Sequence, residues 1–391
     1  MRSIGIVAEY NPFHNGHAYL IKKARESGAE SVVAVMSGSF VQRGEPAIFD
    51  FETRVRAALA CGADLVIQLP VIYAVSGAQR FARASTQLLD ALGVPDTLVF
   101  GSECGDTKKI IETARLLDTD EFSELLKKEL AGGISFASAR ENALRKLNGE
   151  CADIIASPND ILGVEYVSSL LKLQSGLQPL AIRREGVAHD GGNTNGEFAS
   201  ASRLRELLRS GEDISAYVPA RAAEIYMKSE MLDMCRLERA ILYKMRTATA
   251  REIALVPDVS EGIENRIVAA AKEACTLDEL YSLAKTKRYS HARIRRIILN
   301  AFLGITEQLA SCEPPYIRVA GFNENGAAML KKAAETARLP ILTKTADIAE
   351  LDEKAREIFA AECRAGDIAA LCLPDAAPCG TETKFHPIFI K

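Results

Sequence analysis

The stretch SIGIVAEYNPFHNGH, residues 3–17, decides the fold of this chain. Its first part, residues 3–8, is a short apolar run that predicts a buried parallel strand. Gly16 then opens a pattern that predicts a helix over 16–27, with one apolar face. The start of such a helix has unpaired N–H groups and a partial positive charge, so it binds phosphate, and glycine lets the backbone approach the ligand closely.

Two histidines stand at the start of this helix. His14 and His17 are three residues apart, so both can face the same phosphate chain. As donors aimed at a pentavalent α-phosphate, they would stabilise the charge that grows in the transition state. The alternative is two histidines on an ordinary exposed helix start, but the strand–turn–helix context favours the functional interpretation. We therefore predict an enzyme that attacks the α-phosphate of ATP, with His14 and His17 as its catalytic residues.

Strand and helix patterns alternate over the first 210 residues. Strands are predicted at 31–36, 64–69, 96–100 and 180–183, and helices at 51–61 and 78–92. This alternation predicts an α/β fold with a Rossmann-like parallel sheet. We predict a catalytic domain over 1–219, with 106–175 as a helical insertion or cover. A helical domain over 220–312 and a small α/β region over 313–391 would follow.

Composition excludes several classes of protein. The net charge of −4 gives no global basic field, so any RNA contact needs a local basic patch. Nine cysteines, an odd number without a C-x-x-C pair, predict reduced thiols in a reducing compartment and no Cys/His metal site. The N-terminus has no secretory pattern, and no apolar run approaches the ~20 residues of a membrane span. The expected location is therefore the cytoplasm, with no membrane partner.

The residues 11–17 resemble the HxGH signature of the nucleotidyltransferase superfamily. Further segments narrow the resemblance to the bacterial tRNA(Met) cytidine acetate ligase family, across nearly the whole chain. They are MSGSFVQRGEP at 36–46, FGSECGD at 100–106, SPNDILGVEY at 157–166, IRREGVAHD at 182–190 and KTKRY at 285–289. The resemblance implies that ATP activates acetate as acetyl-adenylate. The acetyl group then passes to N4 of the wobble cytidine of elongator tRNA(Met), forming N4-acetylcytidine.

The resemblance also implies a set of ATP-binding residues. They are Val7, Ala8, Glu9, Tyr10, Asn11, Pro12, Phe13, His14, Asn15, Gly16, His17, Ala18, Tyr19, Leu20, Gly101, Asn159, Arg184 and Ser202. Because Gly101 follows a strand, it would lie where open α/β sheets bind ligands. Asn159 is expected to cap a helix over 161–173 as well as to contact ATP.

Arg184 has a guanidinium that matches phosphate oxygens, although a plain surface arginine pair with Arg183 is the alternative. The segment ASASRLR at 199–205 resembles the second phosphate motif of the superfamily, usually I-S-S/A-T-x-I-R. Ser202 replaces the threonine there and is expected to cap the helix and donate to a phosphate. Ala199 replaces the isoleucine, and Ala188 stands before His189 and Asp190 where the family would have an aromatic residue.

Two further segments would bind the other substrates. The loop 37–50 leaves a strand end, and Arg43 near its tip is the candidate for binding acetate, unless the loop is only a mobile surface segment. The region 220–312 is expected to bind tRNA through Lys285, Lys287, Arg288, Arg293 and Arg296.

In that region, Ser290 would cap a helix whose isoleucines face the core, with Arg293 and Arg296 on its outward face. A solvated helix face is the alternative for the cluster as a whole. Tyr289 is expected either to stack on a base or to pack in the protein.

The sequence is compatible with two rival functions. One is a small-molecule adenylyltransferase of cofactor synthesis, against which the ~170 residues beyond the core argue. The other is a non-catalytic RNA-binding protein with a relic nucleotide fold, against which the intact His14 and His17 argue. Mg²⁺ is expected with ATP because it neutralises the triphosphate. Neither the oligomeric state nor a general base for the acetyl transfer follows from the sequence.

Overall fold

A computed structural model describes residues 2–185 and 196–391 of the chain. Its strands are β1 Ser3–Ala8, β2 Ser31–Ser37, β3 Phe40–Val41, β4 Glu45–Pro46, β5 Leu65–Leu69, β6 Thr97–Ser102, β7 Gln178–Arg183, β8 Ile317–Phe322, β9 Ile341–Leu342 and β10 Ile388–Phe389. All strands except β3 and β4, which pair with each other, belong to one central sheet.

Twenty α-helices surround the sheet within the described residues. The first ten are α1 Asn15–Glu26, α2 Phe51–Ala60, α3 Val71–Ala74, α4 Ala78–Leu92, α5 Thr107–Leu116, α6 Asp120–Ala131, α7 Phe136–Leu147, α8 Gly149–Ile154, α9 Pro158–Leu173 and α10 Ala201–Arg209. The others are α11 Ala220–Tyr226, α12 Glu238–Thr247, α13 Ala250–Ile253, α14 Ile263–Glu273, α15 Leu277–Ala284, α16 His291–Leu303, α17 Glu307–Ala310, α18 Glu324–Thr336, α19 Glu353–Ala369 and α20 Thr381–Lys384. Short 3₁₀ segments lie at Ser215–Tyr217, Met234–Leu237, Thr345–Glu350 and Ala370–Cys372.

The predicted α/β fold with a Rossmann-like parallel sheet is confirmed. Five parallel strands run in the order β5-β2-β1-β6-β7, so the order along the sheet reverses between β1 and β6. In open α/β sheets, ligands bind outside the carboxyl ends of the strands at this switch point. The strand β2 is buried along its whole length, and its alternate residues pack into separate cores on the two faces of the sheet.

The last region of the chain extends the same sheet. Strand β8 pairs antiparallel with β5, and β9 and β10 both pair parallel with β8. The division into domains at 219 and 312 stays a prediction, but the strands of 313–391 build no sheet of their own within the described residues.

Two further findings concern the cysteines and membrane-spanning helices. All nine cysteines carry free thiols. Within the described residues, no helix combines the length and the apolar character needed to cross a membrane.

Candidate active site

The turn after β1 places the two histidine rings against each other. His14 is the N-cap of α1, and its Nδ1 accepts the N–H of Gly16 at 3.0 Å. The backbone N–H of His14 in turn donates to Nδ1 of His17 at 3.2 Å. The ring centroids are 3.8 Å apart and the rings are stacked at 28°. A Cβ at Gly16 would lie 2.8 Å from Cε1 of His14, which explains the glycine between the two histidines.

These contacts define which nitrogen of each ring carries a proton. Burial lowers the pKa of His14 to about 3, with further lowering by the charges of Arg184 and Arg205. Burial, His14 and Arg184 lower the pKa of His17 well below its ordinary value. Both rings are therefore neutral near pH 7. Because each Nδ1 accepts a backbone N–H, the ring proton is on Nε2, so each of these two cavity-lining rings carries an Nε2–H donor.

A cavity of about 440 Å³, which we call the histidine cavity because His14 and His17 line it, lies at the switch point between β1 and β6. It brings together most of the residues predicted to bind ATP: Val7, Ala8, Glu9, Tyr10, Asn11, His14, Gly16, His17, Tyr19, Leu20, Gly101, Asn159, Arg184 and Ser202.

Four residues of the predicted set do not line this cavity: Pro12, Phe13, Asn15 and Ala18. Phe13 is fully buried, and its N–H donates to the hydroxyl of Tyr226 at 2.8 Å. Asn15 donates instead to the carbonyl of Glu197 at 2.9 Å. The structural role of these two residues is to hold the turn and α1 in place.

Asn159 lines the cavity but does not cap a helix, so that expectation was wrong. Helix α9 begins at Pro158 with Ser157 at the N-cap position. Asn159 lies inside the first turn, and its Nδ2 donates to Oε1 of Glu103 at 2.6 Å. Proline fits the first helical position because it has no N–H to leave unpaired, and it starts the helix earlier than expected.

The helix α10, which follows β7, has its N-cap two residues earlier than expected. Ser200, rather than Ser202, caps α10, and its hydroxyl accepts the N–H of Arg203. Ser202 lines the cavity, and its hydroxyl accepts from Arg205 at 3.3 Å. His189 and Asp190 lie outside the described residues.

Arg205 is a cavity residue that the sequence reasoning missed. Its side chain is buried, donates to the carbonyl of Asn11 at 2.9 Å and forms an ion pair with Glu45 at 3.5 Å. It therefore joins α10 to the histidine turn and to the loop 37–50. The signal was present, because Arg205 is the last residue of the ASASRLR segment.

Arg54 organises the loop 37–50 from inside the protein. Its guanidinium is fully buried and donates to four backbone carbonyls, those of Phe49, Glu9, Ser37 and Gly38. No pattern in the sequence marked this residue, which stands in an otherwise ordinary amphipathic helix. The hydrogen bonds from Arg54 to Glu9 and Ser37 thus hold the end of β1 against the end of β2.

The loop 37–50 is packed rather than a mobile surface segment. Phe40, Val41 and Ala47 are fully buried, and β3 and β4 form a short hairpin within the loop. The N–H of Gln42 donates to Oε1 of Glu9 at 2.8 Å. Arg43 lines the cavity, as expected of a residue proposed to bind acetate, although acetate binding itself stays a prediction.

The basic cluster of the helical region divides into two parts. Ser290 caps α16 as predicted, and Ile294, Ile297 and Ile298 are fully buried. Lys285, Lys287 and Arg288 are exposed.

Arg293 and Arg296 are not on an outward face, so that expectation was wrong. Arg293 donates to the carbonyl of Asp258, and Arg296, with a side chain only 14% exposed, forms an ion pair with Asp258 at 3.5 Å and lines the histidine cavity. Tyr289 has the packing role, because it is buried and its hydroxyl bonds to Ser260.

Comparisons with known proteins agree with this geometry. The family model described as HIGH Nucleotidyl Transferase matches residues 1–383. A tRNA(Met) cytidine acetate ligase of Thermoanaerobacter sp. (strain X514) is 38% identical, over 99% of both chains. The same name belongs to a protein of Acetivibrio thermocellus that is 34% identical over 96% of both chains.

Solved structures give the same result. The apo form I crystal structure of Thermotoga maritima TmcAL superposes with a TM-score of 0.95 at 32% identity, and covers 100% of both chains. The form II structure of that protein bound with alpha-thio ATP superposes with a TM-score of 0.93 over the same full lengths.

Proposed function

The chain belongs to the tRNA(Met) cytidine acetate ligase family, within the HIGH nucleotidyl transferases, and from that premise we propose that it uses ATP to ligate acetate to a cytidine of tRNA(Met). The proposed product is N4-acetylcytidine at the wobble position of elongator tRNA(Met). Since tRNA is the proposed substrate, the proposed place of action is the cytoplasm.

The observation that carries the first step is the pair of neutral imidazoles. A carboxylate oxygen of acetate attacks the α-phosphorus of ATP, pyrophosphate leaves, and acetyl-adenylate forms. Negative charge grows on the α-phosphate oxygens during this attack. The Nε2–H groups of His14 and His17 are preorganised by backbone hydrogen bonds, so they can stabilise that charge without reorientation.

Cations around the histidines support the same step. Arg184 and Arg205 lie close enough to lower the pKa of His14, and Arg43 lines the same cavity. The triphosphate and the acetate both carry negative charge, so cations favour their binding in one cavity. We assign Arg184 and Asn159 to ATP and Arg43 to acetate.

In the second step, the N4 amine of cytidine attacks the acetyl carbonyl and AMP leaves. The exposed cations Lys285, Lys287 and Arg288 stand in the helical region, and we propose that they contact tRNA phosphates. Arg293 and Arg296 remain in the proposed tRNA-binding set, although their partial burial restricts what they can reach.

Mg²⁺ is proposed to arrive with ATP rather than in a protein cage. Within the described residues, no group of three or more His, Cys, Asp or Glu side chains is placed to hold a metal ion. Mg²⁺ commonly binds through substrate phosphates and few carboxylates, so this arrangement fits a magnesium–ATP substrate. Its contribution would be to neutralise the triphosphate.

The deciding experiment is exchange of labelled pyrophosphate into ATP with a panel of carboxylates. We expect exchange to require acetate and to proceed without tRNA. Labelled acetate should then enter elongator tRNA(Met), and a transcript with uridine at the wobble position should stay unlabelled. Exchange driven by a nucleoside monophosphate, with acetate inert, would instead identify a cofactor-forming adenylyltransferase. Binding of RNA without any exchange would identify a non-catalytic protein.

A further inference from the structure

A second cavity, of about 810 Å³, lies beside the histidine cavity. One wall is the helical cover, formed by α6 and α7, and the other is the helical region, formed by the segment before α14 and by α16. Residues of α4 and α9 form its floor. We call this cavity the cover groove. Its volume is larger than that of the histidine cavity, and neither ATP nor acetate has been assigned to it.

The cover groove adjoins the histidine cavity. Ala78, at the start of α4, and Arg296, on α16, line both cavities. A ligand in the groove would therefore lie next to the reaction site, with these two residues at the border. The acetyl acceptor must approach the acetyl carbonyl of the adenylate from outside, and the groove lies on that side of the histidine cavity.

An exposed aromatic ring stands in the groove. Phe136, the first residue of α7, has 55% of its surface exposed, and Leu130, which lines the same groove, has 36%. A ligand that covers this ring removes apolar area from water, which favours binding. Phe122 and Leu126 lie in the same wall, so this side of the groove is apolar. An exposed ring on an apolar wall is suited to stack a nucleobase.

One cation of the opposite wall, Arg293, lies in the same groove as the Phe136 ring. Arg293 donates to the carbonyl of Asp258 at 2.7 Å and to the hydroxyl of Ser260 at 3.2 Å, both neutral acceptors. Within residues 2–185 and 196–391, no carboxylate lies within ion-pair distance of Arg293, so its charge is not neutralised by a partner. Its guanidinium lies 4.1 Å from the ring centroid of Tyr289, which holds it in place.

Each of the other cations of the groove has a carboxylate partner. Arg140 forms an ion pair with buried Glu165 at 2.6 Å. Arg288 pairs with Glu261 at 2.8 Å and also donates to the carbonyl of Gly133 at 3.5 Å, which ties the helical region to the helical cover. The groove thus combines an exposed ring, an apolar wall and one uncompensated guanidinium, which is the combination that binds single-stranded nucleic acid.

We propose that the cover groove binds the unpaired nucleotides next to the target cytidine of the tRNA, with one base stacked on Phe136 and a phosphate near Arg293. This inference rests on the proposed function and adds a location for its RNA substrate. The cytidine itself would reach the activated acetyl group at the border of the two cavities, where Ala78 and Arg296 lie.

The test uses the absence of tryptophan from the sequence. Phe136→Trp creates a full-length protein with one tryptophan, whose fluorescence reports stacking directly. We expect quenching on titration with a tRNA(Met) transcript or with an RNA hairpin of its anticodon arm. Phe389→Trp is the matched control, because Phe389 is 50% exposed and, among the described residues, lines neither cavity. Its fluorescence should not change. Equal quenching of both proteins, or of neither at saturating RNA, would overturn the proposal.

Measurements of RNA affinity show whether Phe136 stacks on a base of the RNA or only packs within the protein. Phe136→Ala should raise the Kd for the tRNA transcript roughly 5- to 100-fold, the range expected for loss of one stacked base. Phe136→Tyr should restore binding to near the wild-type value, and Phe389→Ala should match wild type. Thermal unfolding checks that each variant is folded. An unchanged Kd for Phe136→Ala would refute the groove assignment.

The wild-type protein is assayed in parallel for acetate-dependent pyrophosphate exchange and for tRNA acetylation. If both reactions occur while Phe136→Ala binds RNA normally, the groove assignment fails and the proposed function stands. If the wild-type protein performs neither reaction, the proposed function itself fails.

Discussion

Asn159 donates to Glu103 at 2.6 Å, and this hydrogen bond joins the start of α9 to the end of β6 at the rim of the histidine cavity. The second carboxylate oxygen of Glu103 accepts the N–H of Asp160 at 3.1 Å, and Asp160 in return accepts the N–H of Glu103 at 3.0 Å. Two segments that are 56 residues apart are thus locked by reciprocal bonds. Because of this lock, Asn159 is held in one orientation at the cavity, as a ligand-binding side chain needs to be.

Asn159→Ala and Arg184→Ala should weaken ATP binding more than they lower turnover. Both side chains are proposed to hold the ground state and the transition state alike, so the Kd for alpha-thio ATP should rise about 10-fold or more, as for one lost hydrogen bond. Calorimetric titration measures this. Asn142→Ala is the matched control, since Asn142 also donates to a glutamate, Glu129, but is exposed and outside the cavity. A fall in kcat at unchanged affinity would contradict the assignment.

His14→Asn should separate the catalytic role of His14 from its role as a helix cap. Asparagine is a good N-cap, so α1 should keep its start, but the Nε2–H donor is lost. We expect acetate-dependent exchange to fall about 10²- to 10³-fold, as for removal of one preorganised donor. His14→Ala should lose about 1 kcal/mol of stability in addition. His17→Ala should lower the rate by a similar factor. Near-normal exchange in all three variants would remove the central argument for the site.

Burial of the histidines should make stability depend on pH in a defined direction. The folded pKa of His14 is lowered to about 3, whereas an unfolded histidine titrates near 6.5. The unfolded chain therefore takes up a proton before the folded chain does. The stability contributed by neutral His14 is complete above about pH 6.5 and is lost as the pH falls towards 3, by up to about 1.4 kcal/mol per pH unit.

Urea unfolding between pH 7.5 and pH 5 measures this effect. The wild-type protein should lose stability more steeply than His14→Asn, since asparagine does not titrate. Parallel curves for the two proteins would mean that His14 is not buried as a neutral ring.

Arg296 and Arg288 should affect different half-reactions. Arg296→Gln should lower acetate-dependent exchange, because Arg296 lines the histidine cavity. Arg288→Gln should leave exchange intact, since Arg288 lies outside that cavity, and should instead reduce the salt slope of tRNA binding by about one unit. Exchange kinetics and tRNA binding at several salt concentrations test both. If Arg288→Gln leaves both the salt slope and tRNA acetylation unchanged, Arg288 is only a solvated side chain that pairs with Glu261.

Local sequence was sufficient for the fold class and for the histidine pair. Strand, turn and helix follow one another within residues 3–17, and the contacts that place His14 and His17 are bonds to neighbours two and three residues away. The helix α4 also begins and ends where its pattern predicts, at Ala78 and Leu92. Hydrophobic periodicity and short-range bonding are properties of the local chain, so they can be interpreted without knowledge of distant residues.

Long-range packing alone decided the rest. The pairing of β8 with β5, the four carbonyls around Arg54, and the position of Arg296 in the histidine cavity all depend on which distant segments meet. Arg296 was expected to face solvent because of its spacing on α16. Periodicity tells which residues share a helix face, but it cannot tell whether solvent or another part of the protein lies opposite that face. Only the tertiary structure shows that the helical region packs beside the sheet and brings Arg296 to the histidine cavity.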